Sequence, residues 1–136
     1  MEASSPARLY ATVVGAVLTI AGIIGFFYSA SFGSPGEVDK VFGIVAVNGW
    51  SNVAHLATGL LGLAAAGYAA RQYALGFGLL YLVAAIWGFL IGSGDSILSI
   101  FPVNTGDNIL NLILGLTGLA AGAATPATAP RTASTA

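Results

Sequence analysis

The chain has 136 residues, of which 57% are hydrophobic and 7% charged, and its formal net charge is -1. Soluble domains ordinarily carry about 25% charged residues, so this composition, with a mean hydropathy of +0.89, argues against a soluble globular domain or a disordered chain and for an integral membrane protein. Four Lys/Arg against five Asp/Glu leave no basic field for nucleic acid, and the lack of cysteine removes disulfides, thiolate nucleophiles and cysteine-based metal centres.

A membrane-spanning helix needs roughly 20 mostly apolar residues to cross ~30 Å of hydrocarbon. Four stretches meet or approach that length, at about 9–28, 53–70, 73–91 and 109–124. The first ends near Ser29-Ala30-Ser31, which has the flavour of a signal cleavage site. Its apolar run is longer than a signal core and its flank lacks a basic cluster, so it is expected to be retained. Only Arg71 and Gln72 separate the second and third stretches, which predicts an antiparallel helical hairpin. Continuous apolar runs exclude a transmembrane β-barrel, whose strands alternate in polarity. Arg8, Arg71 and Arg131 fall on one side of this topology, while Glu37, Asp39, Asp95 and Asp107 fall on the other with Lys40. Basic residues favour the cytoplasmic side, so both termini are expected there, in a multi-pass inner-membrane protein. The transmembrane domain is expected to span residues 1–124, and the Ala/Thr/Pro-rich tail 125–136 to be disordered.

The sequence repeats itself. Val47-Asn48 and the run Asn52 to Ala65 recur 56 residues later as Val103-Asn104 and Asn108 to Ala121, in the pattern VN-x3-N-x2-[HN]-L-x2-GL-x-GLAA. A looser match at an offset of 63 pairs Tyr10-Ala11 with Tyr73-Ala74, Gly15 with Gly78 and Gly25-Phe26 with Gly88-Phe89. Two tandem hairpins, at about 9–70 and 72–124, predict an all-α membrane four-helix bundle with a pseudo-twofold axis along the membrane normal. Gly59, Gly62 and Ala66 share one helix face, as do Gly115, Gly118 and Gly122. Small residues let helices approach closely in lipid, so these faces are expected to pack within the bundle, or otherwise to dock a partner or pigment. The loop segments 38–47 and 97–103 are apolar enough to lie as interfacial or re-entrant helices, or to cap the bundle mouth. Trp50, Phe42 and Phe101 suit headgroup depth.

Polar residues concentrate at the loop ends of the second and fourth stretches. Asn48 and Asn104 are placed as N-caps, with Ser51 and Asp107 at the third helical position. Asn52, His55, Asn108 and Asn111 lie further in and are expected to meet near the bundle axis. They would serve there as interhelical hydrogen bonds, or as a site for a headgroup, quinone, proton or tetrapyrrole. His55 is the only histidine. It could give a single axial ligand to haem or chlorophyll, but bis-histidine ligation within one chain is impossible, and no cofactor or metal site is expected. Asp95 and Asp107 read as solvated loop carboxylates. No paired acid and base can be argued, so no enzyme is expected.

The segments VFGIVAVNGWSNVAHLATGLLGLAA and FPVNTGDNILNLILGLTGLAAG resemble the prokaryotic membrane family called domain of unknown function 4383, over about residues 9 to 122. The resemblance implies four spans with the signature N-x3-N-x2-H-x3-G. The second unit carries Asn111 in the place of His55, so a symmetric two-histidine site is not implied. Small size, minimal loops and glycine-lined faces suggest a non-catalytic accessory subunit of a larger membrane complex, respiratory or photosynthetic, with lipid and other subunits as partners. The alternative is a small-molecule, lipid, quinone or pigment binder or transporter using the Asn/His pocket.

Overall fold

The computed structural model describes residues 4–33 and 38–127. Four helices run antiparallel in sequence: α1 (Pro6–Tyr28), α2 (Gly49–Ala65), α3 (Ala70–Ile91) and α4 (Thr105–Ala123). Two small hairpins, β1 (Asp39–Val41) with β2 (Val45–Val47) and β3 (Ser96–Ile97) with β4 (Phe101–Pro102), fill the α1–α2 and α3–α4 connections. Helices α1 and α3 are long and apolar enough to cross a membrane, with mean hydropathies of 2.1 and 2.2.

Each helix start has a local cause. Ser5 caps α1 by accepting from Arg8 N, and Pro6 supplies the fixed φ favoured at the first helical position. Asn48 and Asn104 cap α2 and α4 through reciprocal capping boxes with Ser51 and Asp107. This sets the start of α2 at Gly49, four residues ahead of the apolar run. The helix stops at Ala65, so the hinge is 66–69, and Arg71 and Gln72 belong to the first turn of α3. Gly67 is the local reason: glycine weakens helix propagation, and Tyr68 N turns back to the Ala65 carbonyl.

The expected loop helices are hairpins instead. Both turn with two consecutive positive-φ residues, Phe42 and Gly43 in one, Leu98 and Ser99 in the other. That is the geometry of a type I′ turn, matched to strand twist. It is normally signalled by Asn or Gly, and bulky residues there give no such signal. Each hairpin reaches across to the other half. Asn104 Nδ2 donates to the Ile44 carbonyl and Asn48 Nδ2 to the Ile100 carbonyl. The hairpins thus cover the N-termini of α4 and α2.

Within each half the helices meet along glycines. A Cβ at Gly15 would stand 2.8 Å from Leu63 N, and one at Gly78 2.8 Å from Leu119 N. The faces named from the sequence point inward: Gly59 meets Thr19 and Gly15, Gly115 meets Leu82, and Gly122 meets Leu75. Gly62 lies against the Tyr73 hydroxyl and Gly118 against the Tyr10 hydroxyl, while Ala66 is the C-cap of α2. Those two tyrosines join the halves. Tyr10 donates to the Leu114 carbonyl at 2.7 Å and Tyr73 to the Thr58 carbonyl at 2.8 Å, and their rings lie 6.2 Å apart.

The interior is therefore rich in Gly, Ala, Tyr and Asn, with Val14 and Leu18 of α1 packed among them. The outward faces carry Val13, Val17, Ile20 and Ile23 on α1, and Leu79, Val83, Ile86 and Leu90 on α3. Residues 128–136, where a disordered tail and Arg131 were expected, lie outside the described residues, as do Glu2 and Glu37.

Gly78→Ala should destabilise the protein by about 1–3 kcal/mol, because its methyl meets backbone that cannot step aside. Gly76→Ala, two residues away with open space around it, should be neutral or slightly stabilising by its better helix propensity. Thermal melting of both variants in detergent checks the pair.

Candidate functional site

A cavity of about 270 Å³ opens between α2, α3, α4 and the second hairpin. Its apolar wall includes Leu80, Val83, Trp87, Ile97, Leu98 and Phe101. Its polar groups are Ser51, His55, Thr58, Tyr81, Asp107 and Asn111.

Thr58 organises one side. Its hydroxyl donates to the Ala54 carbonyl at 2.8 Å and lies 2.8 Å from the Tyr81 hydroxyl. With its single proton committed to its own helix, Thr58 Oγ1 accepts from Tyr81. The Thr58 carbonyl also holds Tyr73. Two tyrosines from α3 are thus anchored at one residue of α2.

Asp107 organises the other side. It is 92% removed from solvent, with a relative exposure of 8%. Its Oδ2 accepts from Asn104 N and from Ala46 N of β2, each at 3.1 Å. It is therefore a buried link between the halves, not the solvated loop carboxylate expected from the sequence. Burial pushes its carboxyl up to about 7, even though both N–H bonds favour the anion.

His55 and Asn111 line the cavity together. Neither side chain has a hydrogen-bond partner among the described residues, so both keep donor and acceptor capacity for a ligand. Asn52 and Asn108 do not join them. Asn52 is fully buried, with Nδ2 donating to the Ser29 carbonyl and Oδ1 against Gly25. Asn108 Oδ1 meets Gly88 in the same way. Both oxygens lack a hydrogen-bond partner, and each occupies the space that a Cβ would take on the glycine it faces. These asparagines lock α1 to α2 and α3 to α4.

Thr58, Tyr81 and Trp87 are additions to the residues singled out from the sequence. A signal for the first two existed there. Counted by the repeat offsets, Thr58 corresponds to Leu114 and Tyr81 to Leu18, so each stands alone as polar. Among the described residues no cluster of three or more His, Asp or Glu could hold a metal ion.

The helices and this cavity define a four-helix bundle with an amphipathic pocket open at its side. The family Domain of unknown function (DUF4383) matches residues 8–124, and the chain belongs to it. No curated protein and no solved structure matches the chain.

The Asp107 carboxyl titrates higher in the fold than in the unfolded chain, so the fold binds its proton more tightly. The associated stability is complete below about pH 4 and is lost as pH rises through about 7. Relative to Asp107→Asn, which keeps an acceptor for both N–H groups, the native chain should lose melting temperature between pH 5 and pH 8.

Proposed function

We propose that this chain is a membrane-embedded four-helix bundle, formed by tandem duplication, that binds a small, mainly apolar molecule with a hydrogen-bonding head, such as a quinone, in the His55 cavity. Its termini face the cytoplasm, and the hairpins lie at the outer surface of the inner membrane. The membrane reading is supported by the large aliphatic and aromatic side chains that the helices leave exposed, a surface far more apolar than a soluble domain carries. The two apolar helices α1 and α3 add to it.

The duplication is supported by contacts that recur at the offsets of 56 and 63. Tyr10 to Leu114 matches Tyr73 to Thr58, Asn48 to Ile100 matches Asn104 to Ile44, and Gly25 with Asn52 matches Gly88 with Asn108. The observation that carries binding is where the halves depart from each other. Thr58, Tyr81 and Asp107 face the cavity, and their counterparts are Leu114, Leu18 and Ser51. Packing alone would be served equally by the apolar pair. A cavity of about 270 Å³ with unpaired His55 and Asn111 at its edge suits a single-ring head, near the lower bound of ligand pockets.

Trp87 lines the cavity and Trp50 is the only other tryptophan. In a Trp50→Phe background, a short-chain quinone should quench Trp87 saturably. Ala54→Phe, which fills the cavity, and His55→Leu should each weaken that binding about tenfold or more, consistent with 1.5–3 kcal/mol of lost contact. Linear quenching that is identical in all three proteins, and identical for Trp50 in a Trp87→Phe background, would contradict the proposal. Co-migration with a larger complex at fixed stoichiometry in mild detergent would instead favour the accessory-subunit reading.

A further inference from the structure

A second cavity, of about 360 Å³, lies at the opposite end of the bundle. The start of α1, the 66–69 hinge, the start of α3 and the residues after α4 enclose it. Arg8 and Arg71 both line it, with Gln72 beside Arg71 in the first turn of α3. Arg71 Nε donates to the Thr125 carbonyl at 2.9 Å, which anchors the guanidinium by one edge. The rest of its planar fork is uncommitted among the described residues, and so is the whole of the Arg8 fork. The described carboxylates, Asp39, Asp95 and Asp107, all belong to the hairpin end, and Glu2 lies outside the described residues. Two cations thus share one concavity without a described counter-charge.

The backbone adds to the same field. The first N–H groups of a helix have no intrahelical partner. On α1 they are taken, Ala7 N by Thr125 Oγ1 and Arg8 N by Ser5 Oγ. On α3 the N-cap is Ala69, and no side chain caps the turn that lines the cavity. A guanidinium pair with free backbone donors matches the geometry of a phosphate group, which guanidinium forks bind bidentately. Tyr68 lines the cavity at 84% exposure, and Leu9 beside Arg8 is 61% exposed, so apolar surface flanks the charges.

We propose that this cavity binds a phosphate-bearing anion, supplied by the headgroup of an anionic phospholipid whose chains lie along the apolar surface beside Leu9 and Tyr68. The lipid source rests on the membrane reading above, whereas the anion chemistry does not.

The test is a titration of the delipidated full chain in neutral detergent with phosphatidylglycerol, phosphatidylcholine or inorganic phosphate, followed by native mass and melting temperature. Phosphatidylglycerol should bind and raise the melting temperature, and phosphatidylcholine should bind about tenfold more weakly or worse. Arg8→Gln, which removes no bond described within the fold, should erase that preference. Arg8→Lys should restore part of it, and His55→Leu should leave it intact. Protection by inorganic phosphate at equal concentration would keep the anion site and overturn the lipid as its source. Equal binding of both lipids, unchanged by Arg8→Gln and without any response to phosphate, would overturn the site. A chain that stays monodisperse without detergent would remove the membrane reading, while the phosphate arm would still report on the anion.

Discussion

The close approach of helix backbones along glycines is the constraint on which the rest of the structure depends. At Gly15, Gly59, Gly78 and Gly115 the neighbouring helix stands where a side chain would otherwise be. Many large aliphatic side chains are thereby turned to the outside, and small residues line these close approaches. Interfaces of this kind suit an environment in which packing and hydrogen bonds replace the hydrophobic drive. The same tightness makes Asn52 and Asn108 tenable. Each presses its carbonyl oxygen against a glycine, a position that no other residue type at Gly25 or Gly88 would leave open.

On that frame the two halves are joined by few bonds, each of which crosses between them. Tyr10 and Tyr73 reach helix carbonyls in the middle of the bundle, while Asn48 and Asn104 reach hairpin carbonyls at its end. The next position shows how the join sets up the cavity. The first hairpin presents Ala46 N, and the helix facing it supplies Asp107 as acceptor. The second hairpin has Pro102 in that place, which has no N–H to give, and the corresponding helical residue is Ser51, bonded only to its own cap. An oxygen that accepts two N–H groups is needed on one side, whereas on the other the only N–H to be met is that of the cap itself. The departure from symmetry is thus matched to a backbone donor, and it leaves an ionisable group in the wall of the cavity.

Much of the fold was legible from residues alone. Apolar runs marked the helices, and the Asn/Ser and Asn/Asp pairs marked two helix starts, because capping is a local interaction. The end of α2 was not, since Gly67 sits inside an unbroken apolar run and only the turn at Tyr68 reveals the stop. The hairpins were hidden because Phe42 and Leu98 occupy turn positions that normally carry Gly or Asn. At the site, His55 and Asn111 were recognisable as polar groups in apolar helices. Asp107 was misread because its burial depends on an N–H 61 residues away. Asn52 and Asn108 shared the polar face on paper, but the two glycines opposite them draw them into the helix interfaces.

The proposed role of the His55 cavity requires that it be kept for a ligand and not be a packing defect. The most direct measurement is mass spectrometry of the small molecules released from the protein purified from its native cells, comparing the native chain with Ala54→Phe. A molecule with an apolar body and a polar head should accompany the native chain in stoichiometric amount and be lost from the variant, while any lipid bound at the arginine end should be retained in both. Identical small-molecule content in the two preparations would contradict that role.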